Sequence, residues 1–140
     1  MPDIVQELTI EATPEKVFNA ITRQDELAQW WTNDAKAEPR VGSLAEFSFD
    51  NGAVVFKMEI TELNVAKSVH WKLRSGPPHW EGTNIAWDLA PAASGTILLF
   101  GHHGFAVADA GYEETRQGWE YFLGSLKSYL ETGKGTPHTN

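Results

Sequence analysis

YEETRQGWEYFLGSLKSYLETG, residues 112–133, is the one stretch of this chain that reads as a long amphipathic helix. Trp119, Phe122, Leu123, Leu126 and Leu130 recur at steps of three and four, so they fall on one apolar stripe. A lone helix with such a stripe has to bury it against another layer. The partner the sequence offers is the long series of strand-like segments before it, an antiparallel sheet. A helix laid into a curved sheet leaves a hollow where the two do not meet, and a hollow walled by aromatic side chains suits a small molecule.

Working outward, residues 4–11 alternate, with Ile4, Leu8 and Ile10 on one side and Gln6 as the exception. Thr13-Pro14-Glu15 is a helix start: Thr13 caps, Pro14 suits the first position and Glu15 complements the dipole. Val17, Phe18 and Ile21 form the inner face of that short helix. Thr22 is expected to cap a second one, running to about Gln29, with Leu27 inward and Trp30-Trp31 ending it. Residues 32–43 read as a loop. Phe47 and Phe49, then Val54, Phe56, Met58 and Ile60, then Val69, Trp71 and Leu73, then Thr83, Ile85, Trp87 and Leu89 each alternate with polar neighbours. Asp50-Asn51-Gly52 is a turn, and Ser75-Gly76-Pro77-Pro78 breaks the chain. The last strand, 96–103, alternates weakly because Ile97 and Leu99 are apolar on its second side. The order is strand, two short helices, a meander of strands and the long helix: an α+β arrangement with a nearly all-antiparallel sheet. Residues 1–133 are expected to form one domain and residues 134–140 a polar tail that frays.

The bulk properties remove several classes of function. The chain has 140 residues, a net charge of −8 and no cysteine. Disulfides, thiolate catalysis and thiolate metal sites are excluded. The acidity argues against a nucleic-acid partner and against docking on anionic membranes. The sequence holds no signal pattern and no membrane-length apolar run, so a cytoplasmic location is the expectation.

Several strings, taken in order, resemble the START-like, helix-grip superfamily, and within it the family named for the activator of the heat-shock-protein-90 ATPase. They are Ile10-Glu11-Ala12-Thr13-Pro14-Glu15-Lys16-Val17-Phe18, Leu27-Ala28-Gln29-Trp30-Trp31, Val41-Gly42-Ser43, Gly95-Thr96-Ile97-Leu98, His102-His103-Gly104-Phe105, and Gly118-Trp119 followed by Leu126, Tyr129, Leu130 and Glu131. Ser43 and Gln24 stand where the family often has glycine and proline. The resemblance implies a helix-grip fold: a curved antiparallel sheet wrapped around the long C-terminal helix, with two short helices after the first strand. It supplies no invariant catalytic set. The eukaryotic activator resembles a larger protein with a further chaperone-binding domain, for which a chain of this length has no room, so a co-chaperone role is not expected.

The inward faces then define the candidate site. Trp31, Phe47, Phe56, Met58, Trp71, Trp87, Phe100, Trp119 and Phe122 are expected to line a cavity between sheet and helix, with Thr83, His102 and Glu81 as its polar groups. A turn centred on Ala92-Ala93 would set Trp87 opposite Leu98 and Thr83 opposite His102, with Glu81 diagonal to His102. Met58 would face Trp71. His102 would then have its pKa lowered by burial and raised by Glu81, and the pair His102 and Glu81 are the candidates for proton transfer. The glycine-rich loop 101–111 and the segment 76–80 are candidate gates. His102 and His103 point to opposite faces of a strand, so no metal site is expected, and nothing calls for a cofactor. The expected partner is a hydrophobic or lipid-like small molecule, with a homodimer as a further possibility. The alternatives are a cyclase- or hydrolase-like enzyme and a module that binds a chaperone or regulator.

Overall fold

The computed structural model describes residues 2–140. Its elements run β1 (Ile4–Ile10), α1 (Pro14–Thr22), α2 (Gln24–Trp30), β2 (Asp34–Lys36), β3 (Leu44–Phe49), β4 (Val54–Asn64), β5 (Ser68–Ser75), a single 3-10 turn (Pro78–Trp80), β6 (Asn84–Ala92), β7 (Gly95–His103) and α3 (Ala110–Thr132). The seven strands form one antiparallel sheet in the order β1-β7-β6-β5-β4-β3-β2. β1 and β2 follow one another along the chain yet occupy opposite edges. α1 and α2 carry the chain across between them, which they can do because the sheet curls into a half-barrel around α3. This is the helix-grip α+β fold that the sequence implies.

Local chemistry sets the helix ends. Thr13 Oγ1 accepts from the Lys16 amide at 3.3 Å, with Pro14 in the first turn. Asp109 caps α3 through the Tyr112 amide, and Gly133 closes it at φ +86°. The expectation that Thr22 caps α2 does not hold: its hydroxyl donates back to the Phe18 carbonyl at 2.7 Å. The extended residue at the junction is Arg23, which makes no side-chain cap. A threonine in a last turn has a carbonyl four residues back within reach, and here that bond wins over capping.

The stripe of α3 divides by depth. Trp119, Leu123 and Leu126 are buried, while Phe122 and Leu130 are half-buried. Full burial of one leucine contributes about 1.5–3 kcal/mol. Opposite it, Phe47, Met58, Ile60, Val69, Trp71, Ile85, Trp87, Leu98 and Phe100 form the inner face of the sheet.

Four further expectations need correction. The β6–β7 turn lies one residue later than expected, with Ala92 opposite Gly95. Every partner therefore moves by two: Trp87 faces Phe100 and Ile85 faces His102. A shift of two keeps each side chain on its own face. Met58 likewise faces Leu73, and Ile60 faces Trp71, with a bulge between Ile60 and Glu62 resetting the register. The 32–43 segment contains β2, which pairs Ala35 with Phe47. Finally, the tail does not fray. The His138 amide donates to the Trp31 carbonyl, the Asn33 amide to the His138 carbonyl, and Asn140 bonds Thr32, Asn33 and Asn51. Asp50 and Asn51, both at positive φ, lie in the turn that His138 and Asn140 hold.

Candidate functional site

Four of the six tryptophans meet at one place. Trp31 lies 5.1 Å from Trp119, ring centre to ring centre, and Trp119 lies 5.9 Å from Trp87. Trp71 stacks on Trp31 at 6.1 Å and meets Trp87 edge-on at 5.5 Å. The deep space between sheet and helix is therefore filled with indole. The hollow lies to one side of it, between α3, the β3–β4 end of the sheet and the 3-10 turn. It has a volume of about 190 Å³ and is walled by Trp31, Phe49, Val54, Phe56, Trp80, Thr115, Gly118, Trp119 and Phe122. Its rim residues Phe49, Val54, Phe56 and Phe122 are half-buried and reach solvent. Gly118 helps make the space: a Cβ there would meet no atom within 4 Å.

Of the residues expected to line a cavity, Trp31, Phe56, Trp119 and Phe122 border this hollow. Phe47, Met58, Trp71, Trp87 and Phe100 are buried behind it. Phe49, Val54, Trp80, Thr115 and Gly118 were not expected in its wall. The signal for three of them is in the sequence. Phe49 and Val54 share a face with Phe47 and Phe56, and Thr115 lies one helical turn before Trp119.

Glu81 is exposed and makes no contact with His102. The chain turns outward after Trp80, because the 3-10 turn puts that indole, and not the carboxylate, under α3. Trp80 packs 4.2 Å from Phe56 and 4.4 Å from His102.

His102 is fully buried, and its two nitrogens are both engaged. The Trp119 indole N–H, which can only donate, gives to Nδ1 at 3.0 Å. The proton of the neutral ring therefore sits on Nε2, which donates to Thr83 Oγ1 at 2.9 Å. Thr83 in turn donates to the Trp80 carbonyl at 2.6 Å. A second chain runs beside the first: the Trp80 indole N–H donates to Thr115 Oγ1 at 3.0 Å, and Thr115 to the Gly111 carbonyl at 2.8 Å. Each N–H and O–H donor on these chains is used, so they fix Trp80 and Trp119 in place. Burial pushes the His102 pKa down to about 3, helped by the neighbouring His103 and His79 charges and opposed by Asp3. The expected upward push from Glu81 has no geometric basis. A His102 with no free lone pair, outside the wall of the hollow, cannot take a proton from a ligand there. The proton-transfer pair expected from the sequence is not assembled.

The wall is apolar in effect as well as in composition. Its one hydroxyl, Thr115, already accepts from Trp80 and donates to Gly111, the Trp119 indole N–H is spent on His102, and the Trp31 indole N–H is without a hydrogen bond among the described residues. Behind it, the indole N–H groups of Trp71 and Trp87 are buried with no partner. Each such orphan costs about 1–3 kcal/mol of stability.

The two candidate gates are tied down. The Gly104 amide donates to Asp3 Oδ1 at 3.0 Å, Phe105 is buried against the His102 ring at 4.5 Å, and the Tyr112 hydroxyl donates to the Asp3 carbonyl. In the other segment, a Cβ on Gly111 would strike the His79 ring at 2.9 Å, so that glycine lets α3 and the 3-10 turn touch.

Among the described residues, no helix is long and apolar enough to cross a membrane. A comparison with curated proteins finds no match. Among solved structures, the Aha1 dimer from Colwellia psychrerythraea is 34% identical, with a TM-score of 0.88 over 96% of this chain and 100% of the other. A protein from Staphylococcus saprophyticus, 18% identical, has a TM-score of 0.82 over 99% and 98% of the two chains. DynU16, described as a putative protein in the dynemicin biosynthetic locus, is 23% identical, with a TM-score of 0.79 over 95% of this chain and 48% of its own. These last two share the fold. The family model described as activator of Hsp90 ATPase homolog 1-like protein matches residues 11–131, from the end of β1 to the last turn of α3, and so takes in every wall of the hollow. With that match and the relative from Colwellia, the chain belongs to the activator of Hsp90 ATPase homolog 1-like family.

Proposed function

We propose that this protein binds a small apolar molecule in the hollow between α3 and the β3–β4 end of the sheet. The observation that carries the reading is the hollow itself: about 190 Å³, open at its rim and walled by six aromatic rings. A dry apolar cavity of about 150 Å³ holds a benzene-sized guest, so a substituted aromatic ring or a short alkyl chain fits here. Because the wall carries no charged side chain and only a few polar atoms, affinity comes mainly from area and shape, and charged ligands are rejected by the cost of desolvation. The chemistry favours carriage or sensing over turnover, since no wall residue offers a free base or nucleophile.

The test is Gly118→Leu. The substituted side chain projects into the hollow from an open position, so the helix keeps its packing. Binding of a hydrophobic fluorescent probe to the wild type should change tryptophan emission, and the variant should lose at least tenfold in affinity with unchanged circular dichroism. Equal binding by both proteins would refute the site.

A second copy of the chain is the protein partner we propose. Val5, Leu99 and Ile97 are 58%, 43% and 37% exposed and share the outer face of the β1–β7 ladder. The relative from Colwellia is described as a dimer. This outer row is the weak alternation of the last strand put to use.

A further inference from the structure

The six indole N–H groups fall into three kinds. Trp30, Trp80 and Trp119 donate to Ala20, Thr115 and His102. Trp71 and Trp87 are buried with no partner at all. Trp31, among the described residues, is held by ring packing and makes no hydrogen bond through its indole. Its position matters, because Trp31 forms the floor of the hollow and lies flat on Trp71, with 9° between the ring planes. Trp119, the other part of the floor, is anchored to His102 from the middle of a helix and meets Trp87 edge-on. The floor thus has one fixed ring and one ring free of polar ties, with two unused donors directly behind them.

We propose that Trp71 and Trp87 form a deeper hydrogen-bonding subsite, opened when the Trp31 ring swings aside, that takes the single neutral acceptor oxygen of an otherwise apolar ligand. This rests on the hollow being a binding site, as proposed above. The donors fix the sign of the interaction: a ligand hydroxyl used as donor finds nothing to accept it, whereas a carbonyl or ether oxygen finds an unpaired indole N–H. The neutrality follows from the surroundings. No lysine or arginine is buried among the described residues, and His102 has both nitrogens engaged. A carboxylate would lie unpaired in the interior. With no ligand present, the rings of Trp30 and Phe100 pack steeply against Trp87 and leave its N–H without an oxygen or nitrogen partner, a deficit that a ligand oxygen can fill. The ligand class is therefore an aryl or alkyl ketone, ester or ether of modest size, entering oxygen first.

Acetophenone and α-methylstyrene test this on the wild-type chain. They share one skeleton and differ in C=O against C=CH2. Indole N–H signals of ¹⁵N-labelled protein are followed during titration and assigned through nuclear Overhauser contacts, so no variant is required. Both probes should shift the methyl signals of Val54 at the rim. Acetophenone alone should move the Trp71 or Trp87 indole proton downfield. In Trp71→Phe or Trp87→Phe, whichever folds, the preference for acetophenone over α-methylstyrene should fall roughly three- to tenfold. Rim shifts with both indole protons unmoved would overturn the subsite and leave the hollow standing. No rim shift with either probe would overturn both.

Discussion

Acid should unfold this protein through His102, and the size of the effect can be worked out. The folded ring holds its pKa near 3 against an ordinary 6.5, because it is buried and hydrogen-bonded as the neutral tautomer. The unfolded chain takes up a proton at pH 6.5 that the folded chain refuses until about pH 3. The folded pKa is the lower one, so this contribution is complete above pH 6.5 and is lost as the pH falls toward 3. The loss is about 1.4 kcal/mol per pH unit, or roughly 2 kcal/mol at pH 5 and about 3 kcal/mol at pH 4. Against a total stability of about 5–15 kcal/mol for a domain, that is a large share. The perturbation is His102→Gln, which keeps one acceptor for Trp119 and one donor for Thr83 but does not titrate. Urea unfolding of both proteins from pH 7.5 to pH 4.5 gives two curves of stability against pH. All other titrations are common to the two, so their difference isolates residue 102. The wild type should fall more steeply by about 1.4 kcal/mol per unit below pH 6.5. Parallel curves would refute the argument and show that the imidazole is protonated inside the fold without penalty.

Three further outcomes follow from the same contacts. Trp119→Phe keeps an aromatic ring but removes the pyrrole half of the indole and leaves His102 Nδ1 without a donor, so urea unfolding should show a loss of at least about 1–3 kcal/mol. Asn140→Ala removes the acceptor of the Asn51 amide, so hydrogen exchange at Asn51 should quicken by roughly fivefold, with little change in global stability. Leu99→Lys places a charge in the outer apolar row of β7, and sedimentation should show a dimer for the wild type and a monomer for the variant, each still folded.

Periodicity made the elements legible. The steps of three and four in α3 and the alternation of β4 to β6 depend on neighbours a few residues apart, which the sequence displays. Register was less legible: one residue of difference in placing the β6–β7 turn moved Trp87 from Leu98 to Phe100. β2 is illegible in the sequence because three residues are too few to show a period. The order of the tail was hidden for a different reason, since His138 and Asn140 are held by groups about a hundred positions away. For the site, alternation tells which side of the sheet a residue occupies but not how far it lies from the helix. Phe47, Trp71, Trp87 and Phe100 share the inner face and fill the interior, while the rim residues Phe49 and Val54 on that face border the hollow. The position of Glu81 is not legible from alternation, because the 3-10 turn at Pro78–Trp80 interrupts the strand pattern just before it.

The placing of β1 beside β7 also governs how the chain can come together. Ile10 pairs with Thr96 and Ile4 with His102, so the first strand to leave a ribosome must wait for the last one. During synthesis the β3–β4 and β4–β5 hairpins have their partners early, whereas Ile4, Leu8 and Ile10 stay bare for most of the process. Such distant closure slows folding and lengthens the exposure of a sticky edge. A nascent chain of this design is a natural client for whatever holds unfinished strands apart.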